Sequence, residues 1–137
     1  MKQHRLEIAT RGRGFYRLDP QVNNWVTDTG TGGGLCHLFI LHTSASLIVT
    51  ENADPDVHHD LEVWMSSCVI DGDPRFAHDA EGQDDMSAHI RSVLTQTALS
   101  LPVGRGGLIL GTWQGLYLWE HRTGPHQRSV CLTLLEN

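Results

Sequence analysis

Residues 41–61 read L-H-T-S-A-S-L-I-V-T-E-N-A-D-P-D-V-H-H-D-L, and a change of period inside this stretch decides the fold class. From Ser46 to Glu51 the side chains alternate, with Leu47, Val49 and Glu51 on one face, which predicts a strand. Asp54-Pro55 then supplies an N-cap acceptor followed by a residue suited to the first helical position. Beyond it Val57, Leu61, Trp64, Met65 and Cys68 recur at i, i+4, i+7, i+8 and i+11, the apolar stripe of one helix. A strand running into a helix points to a mixed domain.

Working outward, residues 35–41 are apolar on both alternating faces, the pattern of a central strand covered on both sides. A glycine-rich stretch, Gly30 to Gly34, precedes it. Further upstream, Asp19-Pro20 predicts a helix through Val22, Trp25 and Val26 with Asp19 as its cap, after strands at 5–10 and 15–18. Downstream, residues 71–85 form a polar, acidic connection, and loops of that length are disproportionately functional. A third helix is expected near Asp85, its stripe being Met86, Ile90, Val93, Leu94 and Thr97. Strands follow at 99–103, 108–111, 115–121 and 128–135, joined by Gly, Pro and Thr-Gly-Pro turns. The short connections imply a largely antiparallel sheet. The reading is one α+β domain spanning residues 1–137, with about three helices.

Composition excludes several roles. Ten Lys+Arg against sixteen Asp+Glu leave a net charge of −6, which lacks the cationic footprint that nucleic acids or anionic membranes require. No apolar run reaches the roughly 18 residues needed to cross a bilayer, and the first residues lack the apolar core of a secretory signal, so a cytoplasmic protein is expected. Cys36, Cys68 and Cys131 are far apart and odd in number; each reads as a small buried apolar residue. There is no G-x-S-x-G, no Walker loop and no dinucleotide fingerprint, so covalent serine or cysteine catalysis is not favoured.

Nine histidines almost equal the permanent cations in number, and they direct the search for chemistry. Asp60 and His89 occupy matching positions on the flanks of their helical stripes, where they are either ligands at a cleft edge or ordinary boundary residues. His42 ends the apolar run 35–41 and is either a site residue or a buried ring bonded to backbone. Glu51 and Glu120 each continue an apolar strand face, a placement carboxylates avoid unless paired, ligating or wet. The acidic connection offers His78, Asp79, Glu81, Asp84 and Asp85, either as a solvated charge run or as a segment closing over His42 and His89. Three imidazoles with a carboxylate suit zinc; carboxylates with water suit magnesium against a phosphate. His121 is expected beside Glu120 at the edge of such a site.

Several segments together resemble the YjbQ-like family, whose members are described as secondary thiamine-phosphate synthases. These are Arg13-Gly14-Phe15, the stretch 41–61, H-D-A-E-G-Q-D-D-M-S-A-H-I from His78 to Ile90, and G-T-W-Q-G-L-Y-L-W-E-H-R from Gly111 to Arg122. The resemblance implies an α+β sandwich assembling as a homotrimer, with a small-molecule, phosphorylated substrate in a pocket near the subunit boundary. It implies site residues His42, Glu51, Asn52, Asp54, Asp60, His78, His89, Trp113, Gln114 and Glu120. The activity implied joins a pyrimidine methyl diphosphate to a thiazole phosphate with release of pyrophosphate. In that reaction Glu51, Asp54 and Asp60 would hold magnesium, His78 and His89 would steady the pyrophosphate, Trp113 and Gln114 would bind the pyrimidine, and Glu120 would orient it. Two alternatives stand beside it. One is a hydrolase with zinc on His42, His78 and His89 and water activated by Glu51 or Glu120. The other is a non-enzymatic trimeric metabolite-binding protein.

Overall fold

A computed structural model describes residues 1–137. The elements are β1 (Lys2–Thr10), β2 (Gly14–Arg17), α1 (Asp19–Asp28), β3 (Gly34–Ile40), β4 (Ala45–Glu51), α2 (Pro55–Cys68), α3 (Asp85–Leu94), β5 (Ala98–Gly104), β6 (Gly107–Leu108), β7 (Gln114–Glu120) and β8 (His126–Glu136). They build two antiparallel sheets, ordered β1-β8-β3-β5-β6 and β2-β7-β4. The α+β architecture with three helices is the one expected from periodicity.

The sheets face each other across one apolar core. Cys36, Leu38 and Ile40 of β3, Leu132 and Leu134 of β8, and Leu101 of β5 meet Leu47 of β4 and Leu116 and Leu118 of β7, and α1 closes the core with Val22 and Val26. A second, smaller cluster lies on the other side of the three-stranded sheet, where Met65 and Val69 pack against Trp119. The layers are therefore large sheet, core, small sheet, then α2 and α3.

This order corrects the reading of the central strand. β3 has Leu35 38% and Phe39 45% exposed, because the outer face of the large sheet has no layer over it. The strand covered on both faces is β7, buried from Gly115 through Glu120, with its alternate side chains entering the two clusters. β1 starts three residues earlier than expected, at Lys2, because it pairs with β8 along its whole length. The strand expected at 108–111 shrinks to Gly107–Leu108. Gly34 is required where β3 begins: at φ +152° a Cβ there would sit 2.0 Å from the Leu135 carbonyl oxygen.

The helices also depart from expectation in instructive ways. Asp54 caps α2 as read, accepting a hydrogen bond from the Asp56 N–H at 2.9 Å. Asp19, however, lies inside α1, and its carboxylate instead accepts from the Leu116 N–H of β7. The α2 stripe reaches the sheet through Leu61 and Met65 only; Trp64 is 61% exposed and Cys68 is also exposed. In α3 the expected stripe is inward only in part: Ile90 packs against the smaller cluster, but Val93 is 83% and Leu94 59% exposed. Its buried face is Asp85, Ser87, Ala88, Arg91 and Ser92. The reason is polar: Arg91 donates to Glu62 and Ser66 of α2, and Ser87 donates to Asp71. Of the three cysteines only Cys36 is fully buried, its thiol pKa pushed up to about 11 by burial; Cys131 is half-buried.

Candidate metal centre

The connection 71–85 is not loose. The Gly72 N–H bonds the Gln83 carbonyl at 2.9 Å and closes it at the base, while Arg13 holds Asp71 through two hydrogen bonds of 2.6 and 2.7 Å. Near its far end Asp84 accepts from Arg122 Nε at 2.9 Å and from the Thr123 N–H at 2.9 Å. Burial would raise the Asp84 pKa, but these donors hold the carboxyl well below its ordinary range.

Across this scaffold three side chains converge. His78 comes from the connection, Asp85 opens α3, and His89 lies one turn further along the same helix. His78 Nε2 is 2.6 Å from Asp85 Oδ2, His89 Nε2 is 3.4 Å from the same oxygen, and the two rings are 5.3 Å apart. One ligating atom from each residue lies within 4.8 Å of the others. For His89 and Asp85 the remaining polar atom is also engaged. His89 Nδ1 meets the Thr43 carbonyl at 3.1 Å, which leaves Nε2 as the free lone pair. Asp85 Oδ1 accepts from Arg122 at 2.9 Å, so Oδ2 is the oxygen turned to the two imidazoles, hydrogen-bonded to His78 Nε2. Burial works to raise the Asp85 pKa, but the His78 hydrogen bond and the Arg122 charge keep it lowered and the carboxylate ionised.

Two cavities flank the cluster. One, of about 310 Å³, includes His78, Asp79, Phe76, Gln83 and Met86 in its wall; the other, of about 280 Å³, is lined by His42, Thr43, His89, Ser92, Val93 and Thr97.

The residues expected at one site separate into distinct groups. His78 and His89 meet, and His42 shares a cavity wall with His89 but stays out of the cluster: its Nε2 accepts from the Ser129 N–H at 2.8 Å. Burial and the nearby Arg128 charge lower the His42 pKa.

At the opposite end of β4, roughly 20 Å away at the usual strand rise, the side chains of Glu51, Asn52, Asp54 and Gln114 bond to backbone groups of the two neighbouring turns. Glu51 accepts from the Ala53 and Asp54 N–H groups, Asn52 donates to the Thr112 and Gln114 carbonyls, and Gln114 accepts from the Gly111 N–H. Trp113 in the same turn is 64% exposed. Asp60 does not join His89: its side chain is 79% exposed and its contact is His59 beside it.

Glu120 is fully buried, paired with Arg128 and bonded by Thr10 and the Arg122 N–H. Burial opposes its ionisation, yet these donors lower its pKa. His121 is fully buried too, not at an edge; its Nε2 meets Ser46 Oγ at 2.8 Å, and burial, with the charges of Arg91, Arg13 and Arg128, pushes its pKa down to about 3. Asp85 entered the sequence reading only as one of several acids of the connection and was not singled out, although it stands four residues before His89 at the start of a helix, a spacing that puts both on one face.

The comparisons agree with this fold. A family model described as UPF0047 protein YjbQ-like matches residues 4–137. The UPF0047 protein sll1880 of Synechocystis is 49% identical over 131 residues, covering 94% of this chain and 89% of that protein. The UPF0047 protein YjbQ of Escherichia coli O157:H7 is 41% identical over 133 residues, 96% of each chain. Among solved structures, the hypothetical protein APE1520 of Aeropyrum pernix K1 superposes over the full length of both chains with a TM-score of 0.89 at 27% identity. The conserved hypothetical protein TT1486 of Thermus thermophilus gives 0.81 at 36% identity, over 96% of this chain and 99% of that one. The chain belongs to the YjbQ-like family.

Proposed function

We propose that this YjbQ-like protein is a metal-dependent hydrolase of a small molecule, with a divalent ion of the zinc type held by His78, Asp85 and His89. The observation that carries the reading is the convergence of two imidazole nitrogens and one carboxylate oxygen within 4.8 Å, with His89 and Asp85 each aimed by a contact outside the cluster and His78 held by Asp85. Two imidazoles favour zinc and its neighbours over magnesium, which prefers oxygen. When bound, such an ion polarises the oxygen of the bond to be cleaved and makes water a nucleophile near neutral pH. The chain's own groups divide the rest. Thr43 fixes the His89 tautomer, Arg122 holds Asp85 in place, and Asp79, on the adjoining cavity wall with no hydrogen-bond partner, is the carboxylate free to take a proton from water.

Ligand charge argues for this reading over the coupling of two phosphorylated precursors. Arg122 is spent on Asp84 and Asp85, Arg91 on Glu62, and Arg128 on Glu120. Neither flanking cavity has a lysine or arginine in its wall to meet a diphosphate. Assembly as a homotrimer is part of the proposal, supported by Leu35, Phe39, Leu41 and Leu135 left uncovered on and beside the outer face of the large sheet. No helix is long and apolar enough to cross a membrane.

The test is a metal-defined assay. Protein stripped by chelator and reloaded with Zn²⁺, Mn²⁺ or Mg²⁺ is offered p-nitrophenyl esters and phosphates, and in parallel the two thiamine-phosphate precursors. Zinc- or manganese-dependent release of p-nitrophenolate, abolished in His89→Ala, is expected. Magnesium-dependent thiamine phosphate formation that survives in His89→Ala would reverse the conclusion.

A further inference from the structure

The cluster stands between two cavities of unlike chemistry. His78 belongs to the wall of one and His89 to the wall of the other, with ring centres 5.3 Å apart. The cavity on the His78 side offers Asp79 and the Gln83 side chain, neither with a hydrogen-bond partner, together with Phe76 and Met86.

On the His89 side three polar atoms of the wall are bonded elsewhere. His42 Nε2 takes the Ser129 N–H, His89 Nδ1 meets the Thr43 carbonyl, and Ser92 Oγ donates to the Ala45 carbonyl at 3.4 Å. No carboxylate, lysine or arginine lines that cavity. What remains to face it is the Val93 side chain, 83% exposed in the direction opposite to that expected of an amphipathic helix, with ring edges and threonine methyls. At about 280 Å³ the space is close to the size of the smaller ligand sites.

We infer that the substrate is bipartite: its reacting bond lies at the His78–Asp85–His89 cluster, a hydrogen-bonding head occupies the Asp79 and Gln83 side, and a short apolar group fills the cavity between His42 and Val93. The inference rests on the metal-centre reading and names the substrate class for it. Length and apolarity of the tail, not charge on it, set the affinity, because that wall has no charge to answer one.

The probes are acetohydroxamate and octanohydroxamate, which share one zinc-binding head and differ only in the apolar tail, titrated into zinc-loaded protein. The longer probe is expected to bind at least tenfold more tightly to the wild type. Val93→Asp is expected to erase most of that gain and leave acetohydroxamate affinity unchanged, while Thr97→Val, of nearly the same shape, keeps it. Equal affinity for the two probes, or a gain untouched by Val93→Asp, overturns the inference while zinc binding itself leaves the metal centre standing. A change in sedimentation mass in Val93→Asp also overturns it, since the cavity would then be filled by a second copy of the chain. Absence of zinc binding in the wild type removes the metal centre, and the inference with it.

Discussion

His78 and Asp85 stand 2.6 Å apart through Nε2 and Oδ2, and the second oxygen of that carboxylate is held at 2.9 Å by Arg122. Arg122 also donates to Asp84 and to the Glu81 carbonyl, so one guanidinium sets both the carboxylate and the backbone on which His78 is carried. Groups that orient a ligand without touching the ion are worth about 10- to 100-fold in metal affinity. Arg122→Ala is therefore expected to weaken zinc binding by about that factor, and Arg122→Lys, which lacks the fork, by less than Arg122→Ala. Calorimetric titration of chelator-stripped protein checks both.

Glu120 and Arg128 form a pair in which both side chains are almost wholly buried. Removing one charge strands the other, which typically costs about 3–5 kcal/mol. Glu120→Gln is expected to lose stability in that range by urea unfolding. The double variant Glu120→Leu with Arg128→Met is expected to lose less than the single variant.

His121 sets a pH dependence. Its folded pKa, pushed down to about 3 by burial, lies below its ordinary value of 6.5, so between those values the unfolded chain binds a proton that the folded chain does not. Stability is then full above pH 6.5 and falls as pH drops toward 3, by up to about 1.4 kcal/mol per pH unit for one proton. His42 is shifted in the same direction and adds to the slope. His121→Gln is expected to flatten, without abolishing, the pH dependence of urea midpoints between pH 6.5 and 4.5, above the range where Glu120 contributes.

Asn52 ties two turns together through the Thr112 and Gln114 carbonyls. Asn52→Ala is expected to lower stability by about 1–2 kcal/mol and to leave zinc affinity unchanged. A change in zinc affinity with stability intact would instead join this end of β4 to the metal centre.

Most of the element order was legible in the chain. The period change at Asp54-Pro55 marks the start of α2, and the alternation of residues 46–51 marks β4. Residues whose partners lie far away in sequence were harder. Periodicity turned Val93 and Leu94 inward because it weighs apolar side chains only; Arg91 and Ser87 are buried instead because Glu62, Ser66 and Asp71 satisfy them. β3 and β7 both read as apolar, and only the layer order says which has helices on its far side. At the candidate site, His78 and His89 were found by residue type, but Asp85 looked like one more acid in a solvated run. Glu51, Asn52 and Gln114 form a recognisable motif whose hydrogen bonds all close on the chain itself.

Whether His78, Asp85 and His89 hold a zinc-type ion is decided by titrating Zn²⁺ into chelator-stripped wild type, Asp85→Asn and Asp60→Asn. One ion per chain is expected, binding at least tenfold weaker in Asp85→Asn and unchanged in Asp60→Asn. Equal affinity in all three, or no saturable binding in the wild type, would contradict it.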